Sequence, residues 1–313
     1  MKDEMIIFSG TAHPELTGQI CREIGLEPGN ISIHTFSNDN IKVKIEQNVR
    51  EADCFIVQPS CPPVNTGLME LLITIDALKQ ASAARITAVT PMFPYARSDK
   101  KDEPRISITA RLVADLLMAA GADRVLTMNL HAPQIAGFFR IPVDHLDARP
   151  LLVNHFREKG ITNVVTVAPD AGATKWVSGI AARLQTPLAI FDKRRAADDE
   201  KAEIEHMIGD VSGRTAAVFD DEILSGGSME TVVHALRRSG AEAVYASCVH
   251  PCFSGKAVER LERAGVKELV VTNTVPIAHN NKRPFLKVIS VAPLFAQAIR
   301  NIHIGESVSK LFE

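Results

Sequence analysis

The chain lacks a large charge of either sign: 35 lysines and arginines stand against 37 aspartates and glutamates in 313 residues, a formal net charge of -2. That excludes a protein held to nucleic acid by a global positive field, so any polyanion must be bound locally. No stretch approaches the roughly 20 apolar residues of a membrane helix, and the apolar run in the opening MKDEMIIFSG is too short for the core of a secretory signal. The expectation is a cytoplasmic protein with no membrane or nucleic-acid partner. Cysteine is sparse: Cys21, Cys54, Cys61, Cys248 and Cys252 include one close pair and no second pair at zinc-site spacing. Reduced thiols in or near the core are expected. There is no low-complexity linker, no Gly-Lys-Ser/Thr phosphate loop and no dinucleotide fingerprint.

What is present is an ordinary globular composition, 46% hydrophobic and 23% charged, in a chain long enough for two domains. Short apolar runs at 5–9, 53–58, 86–91, 124–128, 163–168, 188–192, 216–220, 243–249 and 268–272 read as strands, with amphipathic helical patterns between them. Most are unbroken rather than alternating, the pattern of strands covered on both faces in a parallel sheet. The segment from Ser107 to Gly121 reads as a helix closed by a left-handed glycine, with Leu112, Leu116 and Ala119 or Ala120 on one face. The fold class expected is α/β, two doubly wound parallel-sheet domains, broken near Asp147 to Leu151.

The segment richest in chemistry is 217–231, where an apolar strand runs into Asp220, Asp221 and Glu222, followed by Ser225-Gly226-Gly227-Ser228 opening a helix. Glycines bare the backbone N–H groups, serines add hydroxyl donors and the helix start adds partial positive charge, which together suit a phosphate. The carboxylates would repel it, and suit sugar hydroxyls or a divalent metal instead. A phosphorylated sugar satisfies both; an acidic turn before a glycine-rich helix cap is the plainer alternative. Other polar segments also follow strands: Arg97 to Arg105, His131, Asp170, and Lys193-Arg194-Arg195. A salt-bridged loop, a structural histidine, a helix-capping aspartate and a solvated basic cluster are the corresponding plain readings. Gathered on one sheet rim, these groups suit metal-assisted phosphoryl transfer.

The chain resembles the ribose-phosphate pyrophosphokinase family over essentially its full length. The likeness rests on Phe36-Ser37, Pro63 to Ile73, Tyr95 through Arg105, Leu130-His131-Ala-Pro-Gln134, Ile141 to Leu146, Asp192-Lys193-Arg194, Val271 to Thr274 and Gly305 to Phe312. It implies phosphoribosyltransferase-type domains at 1–148 (the ATP side) and 149–313 (the ribose 5-phosphate side), with the last helix packing back on the first. It implies transfer of a diphosphoryl group from Mg-ATP to ribose 5-phosphate, with Mg2+ as cofactor, in a homohexamer built from dimers. Carried over by position, Asp220, Asp221, Ser225, Gly226, Gly227 and Ser228 hold ribose 5-phosphate. Phe36, Asn38, Asn40, Arg97, Ser98, Asp102 and Arg105 meet ATP, His131 and Asp170 the metal, and Lys193, Arg195 and His131 serve catalysis. The sequence departs from the family pattern at Asn129, for an aspartate, and at Leu224, where an acidic residue is usual. It also carries Asn40 for a glutamate, Ser98 for a glutamine, and serines for two threonines. Two further readings stand beside this one: a weakly active regulatory paralogue assembling with an active synthetase, and a phosphoribosyltransferase consuming the activated sugar.

Overall fold

A computed structural model describes residues 4–194 and 203–311. The chain divides into two compact units, residues 1–147 with 274–276 and 290–313, and residues 148–273 with 277–289.

The first unit runs β1 (Met5–Ser9), α1 (Pro14–Ile24), β2 (Ile31–Thr35), β3 (Ile41–Ile45), β4 (Asp53–Val57), α2 (Val64–Gln80), β5 (Arg85–Thr90), α3 (Thr109–Ala120), β6 (Arg124–Met128) and β7 (Val143–Leu146). Its sheet, in the order β1-β4-β5-β6-β7, is parallel throughout, and β2 and β3 form a separate antiparallel hairpin. The second unit contains α4 (Arg149–Glu158), β8 (Val164–Ala168), α5 (Thr174–Leu184), β9 (Leu188–Arg194), β10 (Glu203–Ile208), β11 (Thr215–Glu222), α6 (Gly227–Arg238), β12 (Ala243–His250), α7 (Ala257–Ala264), β13 (Glu268–Thr272) and β14 (Leu286–Ile289). Its sheet order is β10-β9-β8-β11-β12-β13-β14, parallel except for the β9/β10 pair. The α/β class with parallel sheets follows from the unbroken runs: β4 is buried at every residue and β11 through its apolar stretch.

Each unit has its own core. Phe8, Ile56, Leu71, Ile75, Leu117 and Val125 fill the first, and Val167, Phe191, Val218, Val232, Leu236 and Leu261 the second. At about 1.5–3 kcal/mol per buried large aliphatic or aromatic side chain, either set supplies a large favourable term. The helix after Pro104 closes on a left-handed Gly121 with φ 113°, as its sequence predicts, but starts at Thr109, two residues later than the Ser107 expected. Its core face, however, is Ala110, Val113, Ala114 and Leu117, and Leu112 and Leu116 are exposed. The two leucines share a face that lies one helical step away from the sheet.

The final helix, α8 (Ala292–Ile304), belongs to the first unit. Arg300 donates to the carbonyls of Glu23 and Ile24, which are left open at the end of α1. Deeper, Asp53 is fully buried and receives Arg85 Nε at 2.7 Å, a second bond from the Arg85 guanidinium, and His303 Nδ1 at 2.9 Å. Arg85 also donates to Ile302 O at 2.9 Å, so one buried carboxylate fastens α8 to β4 and β5. In the second unit Glu268, at the start of β13, joins His155 at 2.7 Å and Lys159 at the end of α4. Burial works against the charged Glu268 carboxyl, but the bonds from Lys159 and His155 outweigh it and hold its pKa below the ordinary value of 4.5.

All five cysteines are free thiols; Cys21, Cys54 and Cys248 are buried. Burial, with some help from Glu27, pushes the Cys21 thiol up to about 11. No helix among the described residues is long and apolar enough to cross a membrane.

Candidate active site

In the second unit the strand order reverses about β8 and β11, and ligands of open α/β sheets bind beyond the carboxyl ends of strands at such a reversal. Asp170 lies just past the end of β8, and Asp220, Asp221 and Glu222 close β11. All four are partly exposed. Asp170 Oδ1 accepts from Ala173 N at 3.0 Å, so the carboxylate does brace the turn into α5. It also lies close enough to Asp220 to act on it. The Asp220 pKa is raised well above the ordinary carboxyl value, first by desolvation, then by the Asp221 charge and hydrogen bond, then by Asp170. Crowded carboxylates of this kind are relieved by hydroxyl donors or a cation. Directly across in register from Asp220 is the buried Cys248, whose thiol is pushed up by burial and by Asp220.

The loop after β11 has the backbone form of an anion nest. Gly226 caps α6 with φ 76° and ψ -3°, a left-handed conformation that L side chains adopt only at a cost. Its carbonyl takes the first helical bond from Glu230 N at 2.9 Å, and Ser225 Oγ stands 3.5 Å from Gly227 N. The first-turn N–H groups of a twelve-residue helix therefore open beside two exposed serines, Ser225 and Ser228. Leu224, beside them, is 39% exposed. One group with no signal in the sequence also stands here: a Cβ placed on Gly227 would meet Arg260 Nη1, from α7, at 2.9 Å.

Lys193 and Arg194 end β9. Arg195 lies outside the described residues.

The first unit carries the remaining groups. The β2/β3 hairpin closes on Phe36 to Asn40, with Phe36 N donating to Asn40 O at 2.8 Å and Asn40 N to Asn38 Oδ1 at 3.3 Å. Phe36 is 46% exposed at the tip, and the His34 ring stands edge-on to it at 4.8 Å between centroids. Arg97, Asp102 and Arg105 lie exposed on the irregular segment between β5 and α3. Ser98 acts within that segment. Its hydroxyl donates to Ser107 O at 3.1 Å and accepts from Thr109 N at 3.2 Å, closing the loop at the start of α3. His131 is exposed just beyond β6, next to Leu130, whose N–H donates to His145 Nε2 at 2.8 Å. His131 and Asp170 belong to different units. Among the described residues no three His, Cys, Asp or Glu side chains gather as a metal cage.

The counterpart of the nest in the first unit, the β4-to-α2 connection, is built differently. It reads Gln58-Pro59-Ser60-Cys61-Pro62-Pro63, and Pro63 occupies the cap of α2. Behind it Glu70, only 3% exposed, accepts Thr11 N at 2.7 Å, Thr11 Oγ1 at 2.6 Å and Gln58 Nε2 at 2.7 Å. Gln58 Oε1 accepts Ala12 N at 3.0 Å, and a Cβ on Gly10 would collide with Gln58 at 2.2 Å.

A parallel sheet whose reversal point carries an acidic pair and a glycine-opened helix, in a chain of two such α/β units, defines a protein of phosphoribosyltransferase-type architecture. Comparison with known proteins narrows this class. Residues 5–121 match the N-terminal domain of ribose phosphate pyrophosphokinase and residues 195–313 the phosphoribosyl synthetase-associated domain. The chain is 48% identical over 307 residues to a ribose-phosphate pyrophosphokinase of Caldanaerobacter subterraneus subsp. tengcongensis, covering 98% of this chain and 97% of that one. It is likewise 48% identical over 316 residues to one from Deinococcus radiodurans, with 99% and 98% covered. The crystal structure of phosphoribosylpyrophosphate synthetase from Mycobacterium smegmatis superposes with a TM-score of 0.92 at 41% identity, covering 97% of this chain and all of that one. The chain belongs to the ribose-phosphate pyrophosphokinase family.

Proposed function

We propose that this chain transfers the β,γ-diphosphoryl group of ATP to the 1-hydroxyl of ribose 5-phosphate, giving phosphoribosyl pyrophosphate and AMP. The observation that carries this reading is the pairing at one strand end of crowded carboxylates with a left-handed glycine that opens a helix. The first suits sugar hydroxyls, the second a phosphate monoester.

In the reaction the 1-hydroxyl oxygen attacks the β-phosphorus in line, the bond from that phosphorus to the α,β-bridging oxygen breaks, and AMP leaves with the electron pair while the hydroxyl gives up its proton. Asp220 and Asp221 accept from the ribose hydroxyls, and Ser225, Gly226, Gly227 and Ser228 hold the 5-phosphate. Phe36 offers its exposed ring to the adenine, with Asn38 and Asn40 beside it. Arg97 and Arg105 meet the triphosphate, with Ser98 and Asp102 on the same loop. Negative charge grows on the transferring group's oxygens, and Lys193 and Arg195 offset it with help from His131. The Asp170 carboxylate is a hard oxygen donor fitted to Mg2+ and would hold that ion, which would supply charge neutralisation on the phosphates. A cytoplasmic homohexamer built from dimers completes the reading.

The test is AMP formation by the purified protein from ATP, ribose 5-phosphate and Mg2+ with added inorganic phosphate. Ribose 5-phosphate-dependent AMP is expected; none would refute the assignment and favour a regulatory paralogue. Lys193→Ala should lower kcat about 10²–10³-fold, the usual cost of removing one group that stabilises developing charge, while KM for ribose 5-phosphate stays within about twofold. A change confined to KM would contradict the role.

A further inference from the structure

The 5-phosphate seat as read so far has hydroxyls, backbone N–H groups and a helix start, but no full positive charge. Around it stand Asp170, Asp220, Asp221, Glu222 and, in the first turn of α6, Glu230. A phosphate monoester brings close to two further negative charges. A cation is wanted, and one is within reach. Arg260 projects from α7 so that its Nη1 lies 2.9 Å from where a Gly227 Cβ would stand, against the backbone of the nest itself. It is held there by its inner nitrogen, Nε, 3.6 Å from Glu230 Oε2, and the side chain is 43% exposed. Nη1 is the Arg260 atom nearest the Gly227 position.

We infer that Arg260 is a ligand of the 5-phosphate, with Glu230 as its positioning residue; the inference rests on the reading of Ser225 to Ser228 as the phosphate seat. The planar guanidinium matches two phosphate oxygens at once, which an ammonium does not. It also gives Gly227 a role separate from that of Gly226. A side chain at 227 would occupy the space the guanidinium uses, whereas a side chain at 226 would strain the backbone.

The experiment is steady-state kinetics of Arg260→Gln and Arg260→Lys with ribose 5-phosphate and with ribose, which lacks the phosphate. Arg260→Gln should raise KM for ribose 5-phosphate about 10- to 100-fold, the scale of a hydrogen bond between charged groups. KM for ATP and kcat should stay within about twofold. Preference for ribose 5-phosphate over ribose, as a ratio of kcat/KM values, should fall by the same factor, and Arg260→Lys should recover part of it. A purely structural role would lower both substrates equally and leave the ratio unmoved, which overturns the inference; so does an unchanged KM in Arg260→Gln. The double variant Ser225→Ala, Ser228→Ala separates the two layers. If it weakens ribose 5-phosphate and Arg260→Gln does not, Arg260 alone is wrong. If neither changes the ratio, the phosphate seat is misplaced and the inference falls with it.

Discussion

Replacing Gly226 by alanine isolates the backbone contribution to the proposed phosphate seat. The native φ of 76° places an L residue in the left-handed region, at a cost of about 1–2 kcal/mol. The added Cβ would also stand 3.2 Å from the Ala257 carbonyl oxygen and 3.5 Å from Ala257 Cα and Leu261 Cγ, in a place where backbone cannot readily give way. Together these put the loss near 2 kcal/mol. For a unit of this size each kcal/mol lowers the melting temperature by about 2–4 °C, so a drop of about 4–8 °C is expected. Gly227→Ala is the built-in control. Its Cβ meets only the movable end of Arg260, at 2.9 Å, and the serine hydroxyl at 3.7 Å. Its stability loss should stay below about 0.5 kcal/mol, although the displaced guanidinium should weaken ribose 5-phosphate binding. The measurement is thermal unfolding followed by circular dichroism, with KM for ribose 5-phosphate taken on the same samples. Equal melting of Gly226→Ala and wild type, or equal losses from the two alanines, would refute the backbone assignment.

Two stability predictions concern paired charges. Asp53→Ala leaves Arg85 without its partner beneath α8 and should cost about 3–5 kcal/mol in urea unfolding; a loss under about 1 kcal/mol would mean that α8 is held by other contacts. Glu268, whose folded pKa is depressed, contributes stability that is fully present above its unfolded value near 4.5 and is lost as pH falls through the lower folded value. Glu268→Gln should therefore be less stable than wild type near neutral pH, with the gap closing below about pH 4. A gap independent of pH would assign the effect to packing and not to the charge.

The parallel frame was legible because its strands are buried on both faces. Arg124–Met128 and Glu268–Thr272 coincide with the apolar runs residue for residue, and Met5–Ser9 does the same. Besides Glu203–Ile208, the strands that escaped are those with little to bury. Ile31–Thr35 and Ile41–Ile45 alternate, exposing Ser32, His34, Lys42 and Lys44, while Val143–Leu146 and Leu286–Ile289 are four-residue edge strands with mixed composition. For the candidate site, the acidic pair and Ser-Gly-Gly-Ser announce themselves because their residues are contiguous in the chain. Arg260 could not: it reads as one more charge on an amphipathic helix, and only the packing of α7 beside Gly227 makes it a neighbour of the nest. Glu70 was hidden in the same way, inside a helical apolar run. Its partner Thr11 is 59 positions away.

The surroundings of that glutamate set the two units apart. In the second unit, backbone N–H groups open at the start of α6 beside two exposed serines. In the first, Pro62 and Pro63 remove two donors from the equivalent turn, and the Glu70 carboxylate behind it takes the N–H and hydroxyl of Thr11 from the neighbouring β1-to-α1 loop. The two units share a parallel frame, but only the second opens a helix start toward solvent at the turn after its acidic strand.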